Sequence, residues 1–311
     1  MNIKEIKKEL KNPGHLLMRI NHRYPWMFKW MPDEICLKFW YRITIGKKLN
    51  LKEPRTFNEK LQWLKLYDRK SEYTEMVDKY EVKKYVTARI GKEYIIPTLG
   101  VWEKFEDINF EELPNQFVLK CTHDSGGIVI CKDKNKFDIS RARKKINRSL
   151  RNNFYWVGRE WPYKNVKPHI IAEQYMENDL SGNRRGEFKT LIDYKFFCFN
   201  GEPKYLYVSE DLGNHENARI SFVTMDYKQA EFGREDYLPF KELPDKPIFF
   251  EKMKELATVL SKEIPFLRVD FYEINKQIYF GELTFYPGAG FTKYIPDDAD
   301  LMLGNMLDIE I

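Results

Sequence analysis

The chain has 311 residues, with 52 Lys and Arg against 47 Asp and Glu and a net charge of +5, an excess too small for the length to demand a nucleic-acid partner. The length exceeds one average domain, so several subdomains can share one site. Four cysteines (Cys36, Cys121, Cys131, Cys198) form no Cys-x-x-Cys pair, no apolar run reaches the length of a membrane span, and the N-terminal MNIKEIKKELKN lacks the apolar stretch of a secretory signal, which together favour reduced thiols and a cytoplasmic location.

Residues 1–50 mix basic side chains (Arg19, Arg23, Lys29, Lys38, Arg42, Lys47, Lys48) with Trp26, Phe28, Trp30, Phe39, Trp40 and Tyr41. Two outcomes fit: peripheral contact with the anionic inner membrane surface, or helices packing their aromatic rings on the body of the protein. Apolar and basic residues do not separate cleanly onto two faces, which favours packing. Thr56-Phe57-Asn58-Glu59 is a capping box that opens a helix through Tyr67. A second helix is predicted from about Ser71 to Ile90, closed by Gly91, with Asp78-Lys79 in its first half. Ile95 to Gly100 leads out extended, so the change from helices to strands marks a boundary near 93.

Phe117 to Lys120 reads as a strand, followed by the loop Thr122-His123-Asp124-Ser125-Gly126-Gly127 and a strand from Ile128 to Cys131. A glycine loop between strands offers backbone amides that can fold over phosphates, and Lys120 at the strand end can reach a phosphate as a point charge. Plain hairpin turns carry the same Ser-Gly-Gly. The loop is too short for a Walker motif and lacks its Lys-Ser/Thr, which disfavours a P-loop enzyme. His123 either serves as a base or shapes the loop, the second being preferred. Ser140 to Asn153 is a basic helix with Ala142, Ile146 and Leu150 on one stripe; a solvated face is the common reason for such charge, an anionic acceptor the sharper one.

A strand from Ile170 to Met176 runs into the turn Glu177-Asn178-Asp179, and a polar loop over 181–190 precedes the alternating stretch Asp193 to Gly201. There Asp193 and Lys195 share a face with Phe197 and Phe199. A strand follows from Lys204 to Val208, residues 209–247 read as polar and irregular, and Phe250 to Glu263 is a helix by the spacing of Met253, Leu256, Ala257 and Leu260.

Leu267 to Gly290 reads as two strands with a polar turn at Glu273, Asn275 and Lys276, then a Pro-Gly loop. Alternation puts Arg268, Asp270 and Tyr272 on one face of the first strand and Phe280, Glu282 and Thr284 on one face of the second. A turn of odd length makes Asp270 and Glu282 near cross-strand neighbours. Facing carboxylates repel unless something positive sits between them, and a magnesium ion, which takes carboxylate and phosphate oxygens, is the economical cation. Arg268 adds a fixed fork for an oxyanion. An ordinary amphipathic hairpin with solvated charges would carry the same residues.

Arg-x-Asp, a hairpin, then Glu-x-Thr-x-x-Pro-Gly resembles the metal-binding end of the ATP-grasp ligases. With KKLNLKEPRTFNEKLQWLKLYDR, DKYEVKKYV, FVLKCTHDSGG, GREWPYKN, DYKFFCFNG and YFGELTFYPGAGF in order, roughly residues 30–311 look like the TupA-like ATP-grasp family, named for teichuronopeptide biosynthesis. The resemblance implies an α+β, ATP-grasp fold: two α+β subdomains (94–176 with the lid, 177–311 with the magnesium site) gripping ATP between them, after a helical N-terminal region, 1–93. It implies that Lys79 and Lys120 bind the nucleotide, that Ser125, Gly126 and Gly127 form the mobile phosphate lid, and that Glu173, Gln174, Tyr175 and Met176 form the adenine hinge. Asp179, or failing it Glu177, would take the ribose. Lys195 would stand near the γ-phosphate where relatives carry Arg, and Arg268 would be the transition-state arginine. Asp270 and Glu282 would hold Mg2+, with Thr284 supplying a neutral oxygen in place of the usual Asn. The implied activity is ATP-dependent joining of an amino acid or amino sugar to a uronic acid or acidic amino acid of a cell-surface polysaccharide, through an acyl phosphate. The alternative is a glycosyltransferase using a nucleotide sugar, a label some relatives bear; Asp297-Asp298, its acidic cluster, lies in a turn after Pro296 and not at a strand end. A nucleotide-binding protein without ligase activity, or a kinase, is the third outcome.

Overall fold

Helices come first in the described part of the chain. The structure, a computed structural model, describes Leu17, Met18, Ile20, Asn21 and residues 23–177, 191–210 and 218–310. A single 3-10 turn, Pro25–Phe28, leads into α1 (Asp33–Thr44). α2 (Phe57–Tyr67) opens on the expected capping box: Thr56 Oγ1 accepts from the Glu59 N–H, and the Glu59 carboxylate accepts from the Thr56 N–H. The one helix expected from Ser71 to Ile90 is two, α3 (Glu72–Val77) and α4 (Val82–Ile90). The break is at Asp78, whose backbone turns extended and whose Oδ1 accepts the N–H groups of Tyr80 and Glu81 at 2.8 and 3.0 Å. A short acidic side chain bonding its own downstream backbone competes with continued helix. Lys79 is thereby off the helix, with its N–H paired to Thr122 O at 3.0 Å.

The first sheet is antiparallel, with strands β1 (Thr98–Trp102), β2 (Phe117–Cys121), β3 (Ile128–Cys131) and β4 (Ile170–Gln174) in the order β1-β4-β2-β3. β4 stops two residues before Met176, where the expected strand ended. α5 (Ile139–Leu150) covers one face, and its apolar stripe is the predicted one: Ala142 and Ile146 are buried among Phe117, Leu119, Cys121 and Ala172. A short helix, α6 (Tyr155–Gly158), precedes β4.

The second sheet has five antiparallel strands. β5 (Asp193–Phe199), β6 (Glu202–Glu210), β7 (Arg219–Thr224), β9 (Phe266–Ile274) and β10 (Gln277–Thr284) run in the order β10-β9-β5-β6-β7, with the short β8 (Gly233–Arg234) pairing β11 (Tyr294–Ile295) apart from them. β7 falls in the stretch expected to be irregular. Four successive residues, Ile220 to Val223, are buried, so the strand shows no period-two alternation to betray it.

α7 (Phe250–Ser261) packs on one face of this sheet, where Phe196 lies 5.8 Å from Phe250 and 6.1 Å from Phe271 between ring centroids. On the other face Phe266, Phe197 and Phe199 sit under Phe57 of α2, at 4.8, 6.5 and 5.5 Å. The helices between Phe57 and Ile90 thus share one core with the five-stranded sheet. Further along the same face the side chains change from rings to charges: Asp193, Lys195, Arg268 and Asp270. A last helix, α8 (Ala299–Gly304), docks on α2.

The N-terminal aromatics divide. Trp40 and Tyr41 are buried as packing requires, whereas Trp26 and Trp30 remain 63% and 76% exposed. No helix among the described residues is long and apolar enough to cross a membrane. The segment MNIKEIKKELKN, Arg19 and the polar loop 181–190 lie outside the described residues.

Candidate active site

β9 and β10 meet at a two-residue turn, Asn275-Lys276, with both residues left-handed (φ 51° and 62°). Such a turn matches the twist of the flanking strands. It is even in length, not odd as expected, and Glu273 lies within β9, accepting from the Phe249 N–H at 3.2 Å. Phe271 pairs with Phe280, so unbroken pairing would set Asp270 opposite Gly281. The register instead slips by one residue between Phe280 and Leu283, which pairs with Val269. This bulge gives Glu282 the place across from Asp270 and re-aims its side chain. It also overturns the expected face: Phe280 points with Phe271 into the core, away from Glu282. Gly281 fits the bulge because a Cβ there would stand 3.1 Å from the Tyr272 ring and 3.2 Å from Asp270 O.

The positive group between the two carboxylates is Arg268. Its Nε and Nη2 donate to Asp270 Oδ1 and Oδ2, both at 2.7 Å, and Nη2 reaches Glu282 Oε1 at 2.6 Å. Lys195, opposite Asp270 on β5, donates to Asp270 Oδ2 at 3.0 Å and lies 3.1 Å from Asp193 Oδ2. Burial pulls the Lys195 pKa down, but Asp270 and Asp193 outweigh it and hold the ammonium above its ordinary value. The two facing carboxylates shift in opposite directions. Asp270 is almost wholly buried and its pKa is raised by desolvation, only partly offset by Arg268 and Lys195. Desolvation also acts on Glu282, yet Arg268, Lys79, Lys195 and Lys120 together hold it below the ordinary carboxylate value. Arg268 touches Glu282, and the fields of Lys79, Lys195 and Lys120 reach it from further off.

Thr284 Oγ1 lies 3.3 Å from Glu282 Oε1, and the Glu282 side chain is 43% exposed. Among the described residues no group of three or more His, Cys, Asp or Glu could hold a metal alone. The donors present are hard oxygens of the kind magnesium takes, and a cation here would complete its shell with phosphate and water oxygens.

The loop expected to act as lid joins β2 to β3. Ser125 and Gly126 are exposed at its tip, and Gly127 is buried with its N–H on Asp124 Oδ1 at 2.9 Å. Lys79 Nζ donates to Asp124 O, so the kink after α3 and the lid are tied together. His123 Nε2 lies 3.2 and 3.0 Å from the carbonyl oxygens of Ser149 and Asn152, fixing the lid to the end of α5, in keeping with a shaping role. Lys120 Nζ sits 2.5 Å from Glu173 Oε2, and Lys83, which sequence reasoning passed over, sits 2.5 Å from Glu173 Oε1. Desolvation would raise Glu173, but these two lysines hold its carboxyl below the ordinary value. The Glu173 carboxylate is thus occupied by cations, not turned to a base edge. The Gln174 N–H goes to Pro97 O at 3.0 Å, and Tyr175 and Met176 follow half-buried. Asp179 lies outside the described residues, while Glu177 is exposed. Asp297 and Asp298 are exposed just before α8.

A further group near the cleft comes from GREWPYKN. Lys65 Nζ, fully buried, donates to Gly158 O and Ala289 O, both at 2.7 Å, clamping this segment to the loop after β10. Burial raises the pKa of Glu160 and lowers that of Lys65, each partly offset by the other; Arg268 and Glu282 also act on Glu160. In the sequence, the motif GREWPYKN is the one signal that could have pointed to Glu160.

The TupA-like ATP-grasp family model matches residues 59–308 of the chain. No curated protein matches it. Among solved structures, D-alanine–D-alanine ligase from Bacillus anthracis complexed with ATP is similar at 17% identity and TM-score 0.37, covering 67% of this chain and 54% of that one. D-alanine–D-alanine ligase from Helicobacter pylori is similar at 15% identity and TM-score 0.42, covering 81% and 69%. The ATP-grasp ligase PsnB complexed with minimal precursor is similar at 9% identity and TM-score 0.38, covering 73% and 59%. The chain spans about half the length of the first of these structures.

Proposed function

Because the chain belongs to the TupA-like ATP-grasp family, we propose that it is an ATP-dependent carboxylate–amine ligase. The observation that carries this reading is the Arg268 fork bridging Asp270 and Glu282 across the hairpin, with Lys195 donating to Asp270 from β5. A cluster of that kind suits an electrophile that gains negative charge as it reacts.

A carboxylate is a poor electrophile because oxide would have to leave. Transfer of the γ-phosphoryl group of ATP to a carboxylate oxygen breaks the bond to the β-phosphate, releases ADP and gives an acyl phosphate. The amine then attacks the acyl carbon, phosphate leaves with the C–O bond electrons, and the amine's proton passes to solvent, leaving an amide. Lys79 and Lys120 would hold the phosphates, Lys195 the transferring group and Arg268 the developing oxyanion. Asp270 and Glu282, with Thr284, would hold Mg2+, which shields phosphoryl charge. Ser125 and Gly126 at the lid tip would exclude water from the acyl phosphate. The substrates we propose are a uronic acid or acidic amino acid and an amino acid or amino sugar, in the building of a capsule or other cell-surface polysaccharide.

The test is incubation with ATP, magnesium and a panel of uronic acids and amino acids, following ADP release and product mass. The expected result is ADP release that needs both acid and amine, a product with the mass of the two less water, and loss of both in Asp270→Asn and Glu282→Gln. Ligation that survives both substitutions would overturn the site. ADP release without an amine would make the protein a kinase, and protection in thermal melts by UDP-sugars but not ATP would make it a glycosyltransferase.

A further inference from the structure

One N-terminal surface is used by neither the core nor the cleft. Trp26, Trp30 and Ile35 are more than half exposed, and Tyr24, Met27 and Phe39 are exposed in part. Isolated exposed apolar residues are ordinary on any protein; six within positions 24–39 form a patch, and patches mark partners. The patch is held rigidly from beneath. Phe28 lies 6.4 Å from Phe39 and 5.2 Å from the buried Trp40 between ring centroids, joining the 3-10 turn to α1. Ile35 and Phe39 are one helical turn apart, so they face the same way. Asp33 at the start of α1 takes hydrogen bonds from Arg69 at 3.0 Å and Tyr155 at 2.5 Å. Arg159 donates to Phe28 O and Met31 O at 2.5 and 3.2 Å.

The charge around the patch decides its partner. Positions 23–48 hold six cations (Arg23, Lys29, Lys38, Arg42, Lys47, Lys48) and two acids (Asp33, Glu34), a net +4 of the chain's +5. Asp33 is turned inward to Arg69 and Arg159, and Glu34 is paired with Lys38, so the outward field comes from Arg23, Lys29, Arg42, Lys47 and Lys48. A second copy of the chain docked on the same face would set +4 against +4. Tryptophan is suited to the boundary between headgroups and acyl chains, and lysine and arginine to anionic headgroups.

We propose that this face docks on an anionic lipid bilayer. Docking there also orients the lid. A cavity of about 220 Å³ runs from Arg23 and Pro25 at the edge of the patch to Ser125 and Gly126, with Lys145 and Arg148 of α5 along its wall. The lid tip then opens beside the headgroups. The docking stands on the exposed rings and the local charge, and does not depend on the ligase reading.

The experiment is sedimentation of the full chain with vesicles of phosphatidylcholine alone and of phosphatidylcholine mixed with phosphatidylglycerol. Binding is expected to the mixed vesicles only, and release at about 1 M salt, where the screening length falls to about 3 Å. Lys38→Gln with Arg42→Gln is expected to weaken binding about 25-fold, about fivefold per cation lost. Trp26→Ser with Trp30→Ser is expected to abolish binding at an unchanged melting temperature, since both rings are exposed. Failure of the wild type to sediment with mixed vesicles, equal binding to both vesicle types, or full binding by the tryptophan variant would each overturn the proposal. So would a concentration-dependent dimer that the tryptophan variant loses, without vesicle binding.

Discussion

Arg268 answers at the level of one side chain a problem that the sequence argument gave to a metal ion. Its fork spans both carboxylates of the hairpin, so the pair is stable before any nucleotide arrives. Arg268→Met is expected to lower the unfolding free energy by about 3 kcal/mol, because among the described residues it leaves Asp270 buried with Lys195 as its one remaining ion-pair partner. Adding Asp270→Asn should restore part of that loss, and urea denaturation of the single and double variants measures both. Glu173 makes a second residue-scale prediction, with a pH signature. Its folded pKa is depressed below the ordinary 4.5 by Lys120 and Lys83 against an opposing desolvation. A depressed carboxylate gives stability that is present above its ordinary pKa and is lost as pH falls through the depressed value. Urea midpoints of the wild type should therefore drop below pH 4.5. Glu173→Gln should be about 3 kcal/mol less stable near neutrality, with two uncompensated lysines, and flatter in acid. Parallel curves for the two proteins would contradict this.

The lid separates space from chemistry in two adjoining glycines. A Cβ on Gly127 would stand 2.5 Å from Ser149 Oγ and 2.8 Å from Cys121 Cβ, whereas one on Gly126 would meet nothing within 4 Å. Gly127→Ala should cost about 2 kcal/mol in chemical denaturation, and Gly126→Ala less than about 0.5. Equal effects would mean that the lid packs differently from this account. Elements were legible where one local rule acted alone: the Thr56 capping box, the Ala142–Ile146 stripe of α5, and the alternation of β9. They were not legible where a side chain worked against its surroundings. Asp78 breaks a run of residues with fair helix propensity by bonding its own backbone, and only that break frees Lys79 for the lid. The bulge at Gly281-Glu282 leaves no trace in the hydrophobic pattern, yet it decides which residue faces Asp270. The odd turn expected from the sequence reached the correct pair of acids for the wrong reason.

Over the whole molecule the described residues build two large cores, one around the five-stranded sheet with the helices from Phe57 to Ile90, the other around the four-stranded sheet and α5, and a small third one of Leu37, Tyr41 and Leu49. Lys120 and the lid belong to the four-stranded sheet, Lys195, Arg268, Asp270 and Glu282 to the five-stranded one, and Lys79, between α3 and α4, is tied to the lid through Asp124 O. The family resemblance assigns these residues to one proposed site although about 200 positions separate Lys79 from Glu282, a link that no periodicity or spacing could suggest. Lys83 and Glu160 were missed because their roles come from tertiary packing: one pairs with Glu173, the other lies where Lys65 clamps the GREWPYKN segment to the loop after β10. The central claim is that charges donated by both sheets hold one Mg–nucleotide between them. Calorimetric titration of Mg–ATP into the wild type, Lys120→Met and Glu282→Gln tests it most directly. Binding should be measurable in the wild type and at least about tenfold weaker in each variant, the worth of one charge-assisted contact. A wild type that takes up no Mg–ATP, or variants that bind it as tightly as the wild type, would contradict the account.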